Sequence, residues 1–251
     1  MRADIPSITV LRVPVATLTT ADVRAELLAL HAAGRPALVA YANAHALNLA
    51  TQDAEYHAVL CAAELVLNDG SGLDLAARVE GRRFPENLNG TDLNPKILEL
   101  AAEQQWSVYF LGAAAGVAKE AAARLTAQIP GLQVVGTRDG YFPPDALGAV
   151  VSEIRSIHPD VLMVAMGNPM QEKWLADHLE ATGALIGIGV GAFFDFAAVR
   201  VPRAPAWMNR LGVEWLFRLC QEPGRLWRRY LVGNPVFVAH VLRERWPRLR
   251  S

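Results

Sequence analysis

The feature that most constrains the fold of this chain is a regular alternation of short apolar runs with amphipathic segments over its first 198 residues. Most of the apolar runs precede a helical pattern, and seven of them are typical of buried strands: residues 8–13, 37–41, 65–68, 107–111, 132–135, 161–166 and 184–188. Strands that alternate with helices form a parallel sheet, because each connection has to cross a face of the sheet. The sequence therefore predicts an α/β fold, with a doubly wound, mostly parallel sheet and helices on both faces.

Several helix boundaries are marked by their own residues. A Thr-Thr-Ala-Asp segment at 19–22 precedes an apolar pattern over 23–31, and Thr-Asp at 91–92 precedes another over 93–104. A third helical pattern, over 114–128, is closed by Pro-Gly at 130–131. Side-chain oxygens at a helix start satisfy free backbone N–H groups, and Pro-Gly cannot continue a helix. These segments are predicted to be the helices between strands.

Charge is divided unevenly along the chain, although the formal net charge of the whole is only −1. Residues 199–251 contain eleven Arg, no Lys and three Glu, a formal charge of +8, so residues 1–198 carry −9. A basic, tryptophan-bearing segment of this kind indicates an anionic partner. We therefore divide the chain into an α/β domain, residues 1–198, and a helical, basic C-terminal appendage, residues 199–251.

The start of the chain shows no signal-peptide pattern, and no run of ~18 uncharged apolar residues occurs. We expect a protein that is neither secreted by such a signal nor membrane-spanning. The two cysteines, Cys61 and Cys220, lie far apart in apolar helical surroundings, where we expect them to be small buried hydrophobic residues in a reducing compartment.

Ligands of such sheets bind at the carboxyl ends of the strands, which directs attention to the residues just after each run. Asn43 follows the second run and could cap a helix or hold a sugar hydroxyl or phosphate. His45 is interpreted as a solvated histidine in the first turn of a helix. Asp69 leaves a buried run within Asp-Gly, a pair that by itself is typical of a turn.

Three later strand ends are also glycine-rich or polar. Small residues from Gly112 to Gly116 would let amides at a helix N-terminus approach a phosphate, although close helix–sheet packing explains them equally well. Residues 167–174 crowd an Asn, a Gln and a Glu at one strand end, more polarity than a connection needs. Residues 189–195 place glycines before Asp195.

Other site classes lack their signatures. The glycines at 187, 189 and 191 do not form the dinucleotide fingerprint, and no strand ending in an acid follows them, which disfavours a nicotinamide-dependent dehydrogenase. The six histidines show no metal-ligand spacing. Neither a Gly-x-Ser-x-Gly elbow nor a phosphate-binding Walker loop occurs.

An ordered set of motifs resembles the WecG/TagA/CpsF glycosyltransferases over roughly residues 8–240. The motifs are Asn-Asp-Gly-Ser-Gly at 68–72, Asn-Gly-Thr-Asp-Leu at 89–93, Phe-Leu-Gly at 110–112, Asp-Gly-Tyr-Phe at 139–142, Met-Gly-Asn-Pro-Met-Gln-Glu-Lys-Trp at 166–174, Gly-Val-Gly-Ala-Phe-Phe-Asp at 189–195, Arg-Ala-Pro at 203–205, Glu-Trp-Leu-Phe-Arg-Leu at 214–219, Glu-Pro at 222–223 and Arg-Arg-Tyr at 228–230. The order is far more specific than any single motif.

The resemblance implies an inverting, metal-independent transferase without a cofactor. Such an enzyme moves N-acetylmannosamine or a related sugar from a UDP-sugar to a polyprenyl-diphosphate-linked sugar, for cell-envelope or exported polysaccharide. It would be cytoplasmic and peripheral on the inner face of the membrane, with an anionic membrane surface as a partner. The resemblance implies no nucleic acid partner and is compatible with a homo-oligomer.

The resemblance also implies roles for individual residues. Asp69 would be the general base that deprotonates the acceptor hydroxyl, which an inverting displacement requires on the face opposite the leaving UDP. The donor would be bound by Asn43, Gly112, Tyr141, Gln171 and Asp195. The acceptor or membrane would be bound by Asp92, Arg218, Arg225, Arg228 and Arg229, and guanidinium groups suit this task because they pair bidentately with phosphate.

Residues 206–245 of the tail are predicted to form helices that are interrupted at Gln-Glu-Pro, residues 221–223. An apolar stripe includes Trp207, Leu211 and Trp215, and Trp227, Tyr230 and Trp246 would lie at a membrane interface. The alternative is a helical subdomain packed on the sheet with solvated arginines, and both interpretations can hold at once.

Two positions depart from the family pattern. The chain has Tyr-Ala-Asn at 41–43 where the family usually has Thr-x-Asn, which affects donor choice. It has the neutral Asn87 where an Arg usually precedes Gly90, so that Arg82 or Arg83 would have to reach a phosphate, or the acceptor differs.

These departures and the basic tail leave two alternatives. One is a catalytically inactive scaffold of the same fold, which the presence of Asp69, Gln171 and Asp195 disfavours. The other is a nucleic-acid-binding protein, which the absence of RNP, KH and helix-turn-helix signatures disfavours.

Overall fold

A computed structural model describes residues 5–201, 204–205, 208 and 214–245. Within these residues the chain forms a two-stranded antiparallel hairpin and a six-stranded sheet whose neighbouring strands are all parallel. The hairpin consists of β1 (Ser7–Val10) and β2 (Val13–Ala16). The strands of the large sheet are β3 (Ala37–Ala42), β4 (Leu65–Asn68), β5 (Ser107–Gly112), β6 (Gln133–Arg138), β7 (Val161–Ala165) and β8 (Ile186–Gly189).

Nine α-helices and one 3₁₀ turn, Pro144–Ala146, follow or connect these strands among the described residues up to 201. The helices are α1 (Thr20–Ala32), α2 (Ala44–Gln52), α3 (Ala54–Ala62), α4 (Ser71–Val79), α5 (Gly90–Glu103), α6 (Val117–Gln128), α7 (Leu147–Ile157), α8 (Met170–Thr182) and α9 (Phe193–Ala197).

The predicted α/β architecture is confirmed, because alternate residues of each central strand enter two separate cores. Val39, opposite Leu65 of β4 and Ile188 of β8, faces the core formed with α1, α5, α6 and α9. Its neighbours Leu38 and Ala40 face the other core, formed with α2, α3, α4, α7, α8 and the hairpin. Burial on both faces explains why these strands are continuously apolar.

The strand order places a crevice over the middle of the sheet. The order is β4-β3-β8-β7-β5-β6. The connection from β3 leads to the edge strand β4, whereas the connection from β5 leads to the opposite edge strand β6. Helices therefore leave in opposite directions, and the carboxyl ends between them stay open to a ligand.

Some boundaries differ from the sequence predictions. The run at 8–13 is not one strand but the hairpin, with a tight turn at Leu11 and Arg12. The strand predicted at 132–135 extends to Arg138, and the one predicted at 184–188 begins at Ile186. Helix α5 begins at Gly90, before the predicted Thr-Asp start, because the side chain of Asn89 caps it by accepting a hydrogen bond from the amide of Asp92.

The predicted helical tail is present and packs against the α/β body. It comprises α10 (Glu214–Gln221), α11 (Pro223–Trp227), a π-helical turn at Arg228–Val232 and α12 (Gly233–Arg245). Helix α12 lies against α2 and α4, where Phe237 and Val241 are buried in the second core. Two polar contacts fix its ends: Asn48 Nδ2 donates to the Gly233 carbonyl at 2.7 Å, and Glu244 Oε2 accepts from the Leu11 amide at 3.1 Å.

Two further predictions concern membrane-spanning helices and the burial of the two cysteines. Within the parts of the chain that the structure describes, no helix has the length and apolarity needed to span a membrane. The prediction of two buried cysteines is wrong: Cys61 is half-buried and Cys220 is exposed, because the helix that carries Cys220 turns it to solvent. Of the tail residues singled out above, Arg203, Trp207, Leu211, Trp246 and the side chain of Arg225 lie outside the described residues.

Candidate active site

A cavity of about 520 Å³ lies over the carboxyl ends of β3, β4, β7 and β8. Its walls come from the segments that follow these strands, from the loop before α5, and from the tail helices. The tail contributes Trp215, Arg218, Arg229, Tyr230, Asn234, Phe237 and Val238. The cavity therefore combines residues that the sequence analysis assigned to the α/β domain with residues that it assigned to the appendage.

Asp69 and Asn43 meet at the bottom of this cavity, since they follow the adjacent strands β4 and β3. Asn43 Nδ2 donates to Asp69 Oδ2 at 3.1 Å, while Asn43 Oδ1 accepts from the Ala46 amide at 3.0 Å and caps α2. The two interpretations of Asn43 are therefore compatible: one side chain caps a helix and orients a carboxylate.

The electrostatic surroundings of Asp69 raise the pKa of its carboxyl group above the ordinary value. The cause is removal from bulk water, which disfavours the charged form. The hydrogen bond from Asn43, the positive charges of Arg229 and Arg218 and the Gly90 amide act in the opposite direction and limit the rise. A carboxylate with a raised pKa that is still hydrogen-bonded as an anion is suited to accept a proton.

Tyr41 forms part of the wall next to Asp69. Its ring is buried, and its hydroxyl donates to Asn94 Oδ1 at 2.7 Å, pointing into the protein. Burial and the nearby Asp69 charge both raise the pKa of this phenol, so that it stays neutral. The departure at position 41 therefore replaces a small polar group by an aromatic wall.

Asn87, the second departure, borders the cavity and holds the turn that follows Asp69. Its Oδ1 atom accepts from the Gly70 amide at 3.0 Å. Arg82 and Arg83, which could have replaced a phosphate-binding arginine, are exposed and do not line the cavity. Cationic side chains reach the cavity from the tail instead.

Gln171 joins two strand ends at the cavity. Its Oε1 atom accepts from the amides of Gly167 at 3.1 Å and Gly191 at 3.0 Å, and its Nε2 atom donates to Glu172 Oε1 at 2.7 Å. The backbone of Gly189 passes so close that a Cβ atom there would lie 2.8 Å from Gln171 Nε2. The carbonyl oxygen already accepts two hydrogen bonds, whereas the amide nitrogen has one further hydrogen that it can donate to a ligand.

Glu172 lies beneath Gln171 and is fully buried. Its Oε1 atom also accepts from Asn168 Nδ2 at 2.7 Å, and Asn168 Nδ2 lies 3.3 Å from the Tyr56 hydroxyl. Its Oε2 atom is buried without a hydrogen-bond partner among the described residues. Burial raises the pKa of Glu172 to about 7, so the polar crowding at 167–174 includes a supporting carboxyl group as well as ligand-facing groups.

His45 also lines the cavity, and its interpretation as a solvated histidine is wrong. The side chain is half-buried beside Arg229, because the tail helices cover the first turn of α2. Burial and the Arg229 charge lower its pKa to about 4. His45 is therefore neutral near pH 7.

Arg218 and Arg229 bring positive charge to the cavity. The Arg218 guanidinium lies 5.0 Å from the centroid of the Phe196 ring, and its Nε atom is buried without a hydrogen-bond partner within the described part of the chain. The Arg229 guanidinium lies 5.5 Å from the Tyr230 ring. Cations held on aromatic faces beside an open cavity form a positively charged wall, which is suited to bind an anion.

Arg228 faces outward. It is exposed, and its guanidinium lies 5.2 Å from the Trp227 ring. Three apolar side chains near it are also exposed: Trp227 at 43%, Leu231 at 56% and Val232 at 51%. We call Trp227, Arg228, Leu231 and Val232 the outer patch.

Besides Arg228, four described residues predicted for the site lie outside the cavity lining. Gly112 ends β5, where a Cβ would lie 2.4 Å from the Ala165 carbonyl oxygen and the φ angle is +128°, so tight strand packing requires this glycine. Tyr141 follows the edge strand β6 and is 84% exposed. Asp195 lies in α9, and the exposed Asp92 accepts from Asn89 Nδ2 at 2.8 Å near the start of α5. Gly112 and Tyr141 nevertheless follow strands whose carboxyl ends share one edge with the cavity.

Several cavity residues were not predicted from sequence. Phe196 and Asn234 line the cavity, and Tyr56 and Asn94 support it from outside by hydrogen bonds to Asn168 and Tyr41. None of these four had a local signal, because their relevance depends on which strand ends and tail helices come together. Among the described residues, no three His, Cys, Asp or Glu side chains are grouped as a metal site would need.

The sequence was compared with known proteins. The profile of the glycosyl transferase WecG/TagA/CpsF family matches residues 8–251. The chain is similar to the N-acetylglucosaminyldiphosphoundecaprenol N-acetyl-beta-D-mannosaminyltransferase of Bacillus subtilis (strain 168), at 31% identity over 208 residues, 83% of this chain and 80% of the relative. It is also similar to the protein of the same name from Bacillus spizizenii (strain ATCC 23059 / NRRL B-14472 / W23), at 33% identity over 195 residues, 78% of this chain and 74% of the relative.

Proposed function

Because the chain belongs to the WecG/TagA/CpsF family of glycosyltransferases, we propose that it transfers N-acetylmannosamine or a related sugar from a UDP-sugar to a polyprenyl-diphosphate-linked sugar. The observation that carries this proposal is the position of Asp69 at the bottom of a cavity that is also walled by Arg218 and Arg229. A base and an anion-binding wall are what a transfer from a nucleotide diphosphate to a hydroxyl requires.

The reaction proceeds by a single displacement. Asp69 accepts the proton of the acceptor hydroxyl, and the hydroxyl oxygen forms a bond to the anomeric carbon while the bond from that carbon to the UDP oxygen breaks. Attack comes from the face opposite UDP, so the anomeric configuration is inverted. Asn43 holds the carboxylate in place by its hydrogen bond to Oδ2, and the Gly90 amide adds a second hydrogen bond, so a remaining lone pair of the carboxylate accepts the proton.

The departing UDP carries away an electron pair, and its diphosphate gains negative charge. Arg218 and Arg229 meet this charge, and we propose that no metal ion or cofactor takes part. Gln171 Nε2 and the amides of the segments after β7 and β8 supply neutral donors to the donor sugar. Gly112, Tyr141 and Asp195 are proposed to extend the donor site toward the nucleotide, along the same edge of the sheet.

The outer patch is proposed to contact the inner face of the cytoplasmic membrane. Apolar side chains enter the headgroup region, while an arginine beside them pairs with anionic headgroups. The protein would then work as a peripheral membrane enzyme and accept a lipid-linked substrate directly from the bilayer. Asp92 and Arg225 are proposed to contribute on the acceptor side.

The proposal is tested by measuring UDP release from purified protein with anionic vesicles that contain a synthetic polyprenyl-diphosphate-N-acetylglucosamine and a panel of UDP-sugars. We expect release with one donor, dependent on the acceptor and unchanged by a chelator. Release without acceptor would indicate hydrolysis, loss of activity with chelator would refute metal independence, and no release with any donor would refute the transferase proposal in this form.

Membrane contact is tested by co-sedimentation with anionic vesicles. We expect Leu231→Glu to lower the bound fraction severalfold, whereas Leu28→Glu, an exposed position on α1, should bind like the unaltered chain. Equal binding of both variants would refute the role of the outer patch. A gel shift with random DNA and RNA, run at the same salt, distinguishes a nucleic-acid-binding protein.

A further inference from the structure

A second, smaller cavity of about 200 Å³ lies between α4 and α12. All of its lining side chains are apolar: Ala76 and Val79 come from α4, and Val241 and Leu242 from α12. It adjoins the catalytic cavity, because Leu75, Phe237 and Val238 line both. We call this smaller cavity the α4–α12 groove.

The groove begins at the anion-binding wall and ends at the surface. Arg229 and Asn234 lie on its catalytic side. Leu75, at the junction of the two cavities, is 45% exposed, and Leu242, which lines the groove alone, is 49% exposed, so apolar side chains border an opening to solvent. An elongated ligand could therefore place a charged head beside the arginines and an apolar tail in the groove.

We propose that the α4–α12 groove binds the first isoprene units of the acceptor's polyprenyl chain. The inference rests on the proposed function and adds that Arg218 and Arg229, which meet the UDP diphosphate, also lie near the diphosphate of the acceptor. The polyprenyl chain is attached to the acceptor's diphosphate, so it has to leave the catalytic cavity at a neighbouring point. An apolar exit removes the prenyl chain from water, whereas the other walls of the catalytic cavity mix aromatic rings with amides, a carboxylate and guanidinium groups.

The groove also explains an otherwise unusual exposure on α4. Leu75 faces the entrance of both cavities, although Asp74 next to it and Arg78 one turn later are polar. In the proposed complex the side chain of Leu75 separates the sugar from the lipid, with its apolar atoms covered by the prenyl chain. The groove is too small for a whole polyprenyl chain, so the rest continues into the bilayer.

The experiment measures binding rather than turnover, so that it remains informative if no transfer is found. Dimethylallyl, geranyl and farnesyl diphosphate, with one, two and three isoprene units, are titrated into the full chain by calorimetry in detergent-free buffer. We expect affinity to rise at least about fivefold from the one-unit to the three-unit compound, since each added unit buries apolar surface. Inorganic diphosphate reports the head group alone.

Two variants place a charge in the groove, Val79→Glu and Leu242→Glu, and Leu28→Glu on the opposite face of the sheet is the matched control. We expect the chain-length dependence to disappear in both groove variants and to remain in the control, with thermal unfolding curves as the check of folding. Two groove positions are used so that a folding defect in one leaves the other to decide.

Three results would overturn the proposal. One is the absence of a chain-length dependence in the unaltered chain, and another is its persistence in both folded groove variants. The third is equal displacement of farnesyl diphosphate by a lysophospholipid, which would indicate a general lipid site. Transfer activity with no chain-length dependence would refute the groove and leave the proposed function intact.

Discussion

The side-chain amide of Asn43 donates a 3.1 Å hydrogen bond to Oδ2 of Asp69, across the ends of two adjacent parallel strands. The same side chain caps α2 through its oxygen atom. One residue thus connects the stability of a helix with the orientation of the proposed base, and different substitutions at position 43 separate the two effects.

Asn43→Ser should keep the cap and lose the hydrogen bond to Asp69, since serine caps helices as well as asparagine does. Loss of that bond removes an interaction that lowers the Asp69 pKa, so the acid limb of the pH–rate profile should move to higher pH. Asn43→Ala should move it equally and also lower the free energy of unfolding by about 0.5–2 kcal/mol. An unchanged acid limb in both variants would contradict the coupling.

Asp69→Asn should lower the rate of transfer by about 10²–10⁴-fold, because amide cannot accept the acceptor proton. UDP affinity should stay within a few-fold, since the nucleotide is held by other groups. The measurement is single-turnover transfer together with UDP binding by calorimetry. Full activity in this variant would exclude Asp69 as the base.

Arg218→Gln should lower kcat/KM by about 10- to 100-fold, since a hydrogen bond to a charged group is worth about 1.5–3 kcal/mol. Arg243→Gln is the matched control, because Arg243 is an exposed tail arginine outside the cavity lining. UDP-sugar and acceptor titrations show which substrate is affected. Equal effects of the two substitutions would indicate general tail electrostatics rather than a cavity role.

Glu172 should make the protein less stable as pH rises. Its pKa is about 7 in the folded state and near the ordinary value of 4.5 in the unfolded state. Between these two pH values the folded state therefore binds a proton that the unfolded state has lost. The resulting stabilisation is complete below about pH 4 and is lost as pH rises through about 7, with a span on the order of 3 kcal/mol. Urea unfolding at several pH values, compared with Glu172→Gln, isolates this contribution. A constant difference between the two proteins would refute it.

Tyr41→Phe should lower the free energy of unfolding by about 1–3 kcal/mol, because Asn94 Oδ1 loses its buried donor. The ranking of donor sugars should stay the same, since the aromatic wall remains, whereas Tyr41→Thr should change it. A donor panel with both variants tests whether the ring at position 41 affects donor choice. An identical ranking in Tyr41→Thr would exclude it.

Much of the fold follows from local patterns, because buried strands and amphipathic helices repeat in order along the chain. The hairpin does not: its turn has Leu11 and Arg12 at φ +47° and +64°, where Asn-Gly or Gly is usual. Tertiary contacts compensate, since the Leu11 amide donates to Glu244 and the Arg12 carbonyl lies 3.6 Å from Cys61 Sγ. Such compensation leaves no signal in the neighbouring sequence.

The site was predictable to the extent that it consists of strand ends. Asp69, Asn43 and Gln171 are brought together because β4, β3 and β7 end at one edge of the sheet. The sequence does not indicate which arginines of the tail turn inward. Arg218 and Arg229 line the cavity, whereas the neighbouring Arg228 faces solvent. That choice depends on the docking of α12, which is a long-range packing event.

The contact of Glu244 with Leu11 joins positions separated by 233 residues along the chain. A ribosome would release the hairpin long before α12, so the wall that holds Arg218 and Arg229 would close only after α12 has emerged. The sheet can form earlier, yet the cavity would remain open on one side until then. Chains truncated before α12 would therefore keep the sheet but leave the proposed diphosphate-binding wall without its packing against α2 and α4.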